Sequence, residues 1–121
     1  MQWRLYGVVQ RFLNQKIMTR EQFNRITDWQ DETFPNSTEL SRIKHLIKEV
    51  KELEDEAENS FKLTFEKQME YADCFFLLFG AAKRAGMKYD TIIQAIEAKF
   101  LTNKKRVWGK PDENGVVQHV R

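Results

Sequence analysis

Apolar residues in this chain recur at spacings of three and four and almost nowhere alternate with polar ones, which specifies helices rather than strands. Residues that would interrupt a helix are scarce, with five glycines and two prolines in 121 residues. Four of these seven stand where the periodic runs should end: Pro35 after "DETF", Gly86 after "AAKRA", Gly109 and Pro111 after "KKRVW". Five helical pieces follow. Residues 2–14 place Trp3, Tyr6, Val9 and Leu13 on one side of a short helix. Residues 20–32 begin behind Thr19, with Gln22 reaching back, and bury Phe23, Ile26 and Trp29. Residues 38–58 begin behind Asn36 or Ser37, and residues 65–85 run from Thr64 to Gly86. Residues 91–108 start behind Asp90 as cap and stop at Gly109. The tail turns at Asn114-Gly115, and "VVQHV" beyond it is either extended and docked or disordered.

The expectation is an all-α protein, an antiparallel bundle of four to five helices. It should form one domain over residues 1–121, with an extension at 1–18, a core at 19–109 and a tail at 110–121. A formal charge of +2 gives no argument for nucleic acid. No apolar run approaches the roughly 20 residues that cross a bilayer, so no membrane partner is expected. The first fifteen residues lack the unbroken apolar segment of a secretory signal, because Arg4, Gln10 and Arg11 interrupt it. The single cysteine, Cys74, cannot form an internal disulfide; it is read as packing in a cytoplasmic protein.

The stretch "IKHLIKEVKELEDEAE", residues 43–58, carries more than a helix needs. Ile43, Leu46, Val50, Leu53 and Ala57 make the buried stripe. Beside it, Glu49, Glu52 and Glu56 fall within an arc of roughly 60° at 100° per residue, while Glu54 and Asp55 point elsewhere. Like charges three and four apart repel by a few tenths of a kcal/mol, so a row of them beside the core calls for a compensating cation. In the next helix, "MEYADCFFLLFGAA", Glu70 and Asp73 share one stripe. The helix is apolar almost all round from Ala72 to Ala82, so Asp73 is expected to be enclosed. Two pairs, Glu49-x-x-Glu52 and Glu70-x-x-Asp73, on adjacent antiparallel helices would surround one point with carboxylate oxygens. Such hard ligands, without histidine or thiolate, suit Mg²⁺ or Mn²⁺. The last helix then presents Lys99, Asn103 and Arg106 on one stripe, which a polyphosphate would need. Lys104, Lys105 and Lys110 are ordinary cations near a helix carboxy terminus.

In order, these motifs resemble the signature of the MazG-like all-α nucleoside triphosphate pyrophosphohydrolases: E-x-x-E, a spacer, E-x-x-D, and later K-x3-N-x2-R. "TFPN…KHLIKEVKEL", "EYADCFFLLFGAAKRAG" and "KRVWGKPDENGVVQHVR" are similar to the dATP/dGTP diphosphohydrolase branch, including phage enzymes of the MazZ type. The likeness covers roughly residues 20–121 and leaves the first eighteen outside it. One departure stands out: Pro35-Asn36-Ser37 replaces a Gly-Pro-Gly-like turn. The resemblance implies cleavage of a purine deoxynucleoside triphosphate, dGTP or dATP, between the α and β phosphates. Glu49, Glu52, Glu70 and Asp73 would be the catalytic metal ligands for one or more Mg²⁺, with Mn²⁺ able to substitute. One of the first pair would handle the attacking water, and Lys99, Asn103 and Arg106 would bind the pyrophosphate.

Trp29 or Phe34 could stack on a purine or belong to the core, and His45 could reach a phosphate or sugar or simply face solvent. The apolar excess of residues 72–82 also points to self-association as a homodimer or homotetramer. Three other readings compete. A di-iron bundle requires E-x-x-H pairs, which are missing. A nucleic-acid binder would have the acids of residues 49–58 opposing the phosphate backbone. A non-enzymatic helical adaptor remains the rival, and it leaves Asp73 unexplained.

Overall fold

The computed structural model describes residues 18–121, and the helix expected at 2–14 lies outside that range. The described residues form four helices and no strand: α1 (Arg20–Thr33), α2 (Glu39–Asn59), α3 (Phe65–Arg84) and α4 (Tyr89–Lys105). The chain divides into two compact units after Tyr89. Among the described residues, no helix is long and apolar enough to cross a membrane.

Local chemistry sets the helix ends. Thr19 and Thr64 accept hydrogen bonds from the Gln22 and Lys67 amides, satisfying first-turn donors of α1 and α3. The cap of α2 is Thr38 rather than Asn36 or Ser37: Thr38 Oγ1 accepts from the Ser41 amide while Ser41 Oγ accepts from the Thr38 amide. α3 stops in a Schellman arrangement. Gly86 at φ 102° lets its own N–H reach Lys83 O and lets the Met87 N–H reach Ala82 O. Asp90 lies inside the first turn of α4 rather than at the position ahead of the helix expected for it, and its charge there complements the helix dipole.

In the first unit α2 and α3 pack along each other, and α1 lies against α3. Glu56 meets Glu70 while Glu49 shares a hollow with Asp73, so α2 and α3 run antiparallel. α1 buries Phe23, Thr27 and Gln30. Ile26 is only half-buried and Trp29 is exposed, so the inward stripe is rotated from the one expected. Phe23 meets the rings of Phe79 and Tyr89, each at 5.7 Å, and the Tyr89 hydroxyl donates to Met18 O at 2.8 Å.

An ion-pair group ties the three helices together. Arg42, only 5% exposed, donates to Asp31 on α1, to the Gly80 carbonyl on α3 and to Ser37 in the α1–α2 loop. Lys83 and Arg84 also contact the Asp31 carboxylate. α3 is less enclosed than its composition suggests: Phe76, Leu77 and Phe79 are half-buried, but Phe75 and Leu78 are exposed. Two neighbouring helices cover only part of its circumference.

In the second unit, α4 ends at Lys105 and the tail folds back on itself. Val107 O accepts from Val120 N, Gly109 N donates to Gln118 O, and Trp108 bridges His119. Asp112 closes the turn by accepting from the amides of Asn114 and Val116.

Candidate active site

The acids of α2 and α3 are gathered along their shared seam. Glu49 and Glu56 are half-buried and Glu52 is exposed, with Glu70 half-buried on α3. The Glu70 carboxyl is pushed above its ordinary value, first by a hydrogen bond with Glu56, then by burial, then by the charges of Glu56, Glu52 and Glu49. Two ionised carboxylates are both acceptors, so that bond needs a proton on one of them. Glu70 Oε2 is buried without a hydrogen-bond partner. Burial also raises the Cys74 thiol, and the negative fields of Glu49, Asp73 and Glu70 raise it further. Three of the four motif acids therefore act on one sulfur, and the fourth, Glu52, acts on Glu70.

The donor set is all carboxylate oxygen, with one buried oxygen lacking any partner; both features fit a hard divalent cation. The side chains are gathered, not closed: among the described residues no three His, Cys, Asp or Glu side chains converge in a geometry that could hold an ion. Glu49 instead pairs with His45, whose Nε2 lies 3.2 Å from Glu49 Oε1. Asp73 is exposed rather than enclosed, because it opens onto a hollow instead of facing the apolar neighbours in its own helix.

That hollow, of about 460 Å³, lies within the first unit and has Glu49 and Asp73 in its lining. Trp29, Phe34, Phe76 and Leu77 make its apolar walls, with the Trp29 and Phe34 rings edge to face at 5.8 Å. Gln30, Ser37, Ser41, Arg42 and His45 supply its polar lining. The sequence pointed to Trp29, Phe34 and His45 here, but not to Gln30, Ser41 or Arg42, and it marked Ser37 only as a turn residue and candidate helix cap. A usable signal existed: Arg42, Leu46, Glu49 and Leu53 share one helical stripe, so an arginine at its head is held inward. A second groove, of about 510 Å³, is almost wholly apolar and includes Leu46, Val50, Leu53, Tyr71, Phe75 and Leu78.

Lys99, Asn103 and Arg106 lie on or just past α4 in the second unit. Asn103 and Arg106 are half-buried and Lys99 is exposed. Arg106 Nη1 donates to Asn103 Oδ1 at 3.3 Å, and the Asn103 carbonyl accepts from the Trp108 indole at 3.1 Å. The end of α4 is thereby fastened to the tail.

Comparison with known proteins agrees with this architecture. A dATP/dGTP diphosphohydrolase of Salmonella phage PMBT28 is 35% identical over 95 residues, which is 78% of this chain and 29% of that protein. The chain thus spans under a third of that relative's length. A MazG-like pyrophosphohydrolase of cyanophage S-2L, solved with dGDP and three catalytic Mn²⁺ ions per active site, superposes with a TM-score of 0.67. The match covers 87% of this chain and 100% of that one at 24% identity, a likeness of fold. The family model for dATP/dGTP pyrophosphohydrolases matches residues 22–121, and this chain therefore belongs to that family.

Proposed function

We propose that this chain is a divalent-metal-dependent hydrolase that splits a purine deoxynucleoside triphosphate, dGTP or dATP, into the monophosphate and pyrophosphate. The observation that carries this reading is the buried, partnerless Glu70 oxygen set among the charges of Glu49, Glu52 and Glu56. Repulsion of that kind is costly unless a cation or proton offsets it. Glu49, Glu52, Glu70 and Asp73 would hold Mg²⁺ or Mn²⁺, which polarises phosphoryl oxygens and acidifies bound water. The names of the two relatives support nucleotide chemistry, and the S-2L enzyme's ions support a metal of this class.

Within that reading, Glu49 or Glu52 accepts a proton from the attacking water. Hydroxide adds to the α phosphorus, the bond to the bridging oxygen breaks, and pyrophosphate leaves carrying that oxygen. Lys99 and Arg106 neutralise the leaving pyrophosphate and Asn103 orients it. The hollow next to Glu49 and Asp73 receives the nucleoside, with Trp29 or Phe34 against the base. We further propose that the whole chain works as one domain in the cytoplasm, as a homodimer or homotetramer. Self-association is supported by the exposed Val50, Tyr71, Phe75 and Leu78 around the apolar groove.

The test is a phosphate-release assay over dGTP, dATP, dCTP, dUTP and their ribose forms, with Mg²⁺ or Mn²⁺ and added inorganic pyrophosphatase. Metal-dependent release that requires the pyrophosphatase, with purine deoxynucleotides fastest, is expected. A folded protein that turns over none of them would instead favour the helical adaptor.

A further inference from the structure

The hydroxyls at the polar side of the hollow are engaged by neighbouring backbone and side-chain groups. Ser37 Oγ donates to Phe34 O at 3.0 Å and accepts from Arg42 Nε at 2.8 Å. Arg42 is itself fixed by Asp31 and the Gly80 carbonyl, so that orientation is imposed from outside the hollow. Ser41 Oγ likewise donates to Thr38 O at 3.1 Å and accepts from the Thr38 amide at 2.8 Å. A hydroxyl has one proton and two lone pairs. With these bonds in place each serine keeps one lone pair free to accept.

Gln30 adds a second kind of acceptor to the lining. It is 6% exposed, its Nε2 donates to Phe76 O at 2.8 Å, and its Oε1 is buried with no partner. The donor bond fixes which end of the amide is oxygen. The remaining ring N–H groups of the lining, on Trp29 and His45, belong to side chains that are more than half exposed.

We propose that Ser37 is a specificity-determining residue, an acceptor fixed by Arg42 that selects bases carrying an amino group. This deepens the reading of the hollow as the nucleoside site and rests on it. Among uncharged planar ligands, the exocyclic amines of guanine and adenine supply N–H donors; hypoxanthine lacks the 2-amino group and unsubstituted purine lacks the 6-amino group. The volume of about 460 Å³ is within the usual range for a small-molecule site.

Binding of monophosphates tests this without requiring turnover, so failure of the hydrolase reading would leave the experiment valid. Titration calorimetry would compare dGMP with dIMP, and dAMP with purine deoxyriboside monophosphate. At least one amino-bearing member should bind about 5–10-fold more tightly than its partner, the worth of one hydrogen bond. Ser37→Ala should reduce that ratio to below about 2-fold, and Ser37→Thr, which keeps the hydroxyl, should retain it. Equal affinities within both pairs, a ratio that survives Ser37→Ala, or no purine monophosphate binding at all would each overturn the proposal.

Discussion

Arg42 Nη1 donates to the Gly80 carbonyl at 2.9 Å across the α2–α3 interface, and the approach depends on residue 80 having no side chain. A Cβ there would lie 2.7 Å from Gln30 Oε1 and 3.1 Å from Arg42 Nη1. One glycine thus allows a buried amide and a buried guanidinium, both in the lining of the hollow, to meet α3 side by side.

Gly80→Ala should destabilise the protein by about 1–3 kcal/mol, because the Gln30–Phe76 or Arg42–Gly80 bond must shift. Alanine's better helix propensity recovers only about 1 kcal/mol. Urea unfolding of the metal-free protein measures the difference; a midpoint equal to or above that of the parent would contradict it.

Asp31 should make the fold acid-sensitive. Burial pushes its carboxyl up, but hydrogen bonds from Arg42 and Lys83 and the charges of Lys83 and Arg84 prevail and hold it below its ordinary value. A depressed carboxyl stabilises the fold above the unfolded value and loses that contribution as pH falls through the folded one. Asp31→Asn should therefore unfold more easily than the parent at pH 7. In thermal melts the gap should narrow below about pH 4.

Glu70 has the opposite sign. Its carboxyl is raised, so the charged form opposes folding once pH exceeds the unfolded value. Metal-free Glu70→Gln should melt higher than the parent, by a margin that grows from pH 4 to pH 7. Adding Mn²⁺ should stabilise the parent and reverse the order. A variant less stable than the metal-free parent at pH 7 would make Glu70 a structural group.

Phe75→Glu or Leu78→Glu should dissociate an assembly formed through the apolar groove, since each puts a charge on an exposed position beside it. Light scattering after size exclusion should give a multiple of 14.5 kDa for the parent and the single-chain mass for the variants. A parent that is already monomeric removes this interface.

Features that depend on a few adjacent residues were legible from sequence. Thr64 and Gly86 bound α3 because a cap and a left-handed stop are local devices. The cap of α2 was misread because several residues of "PNST" suit the role; Ser37 is instead spent on Arg42, a contact made only once α2 has formed. The stripe shared with Leu46 and Leu53 marks Arg42 as inward, but what it binds was hidden, because its three acceptors come from other segments. Spacing fixed only the helix face of each acid pair, since residues three apart share a face. Asp73's exposure was not, because enclosure depends on how much of α3 its neighbours cover.

The most direct measurement is Mn²⁺ binding by titration calorimetry to the folded chain, alongside Glu49→Gln and Glu70→Gln variants of verified fold. The parent should bind at least one ion, and each variant should lose about 10-fold or more in affinity. A parent that ignores Mn²⁺, or variants that bind it as tightly as the parent, would contradict a metal site built from these two helices.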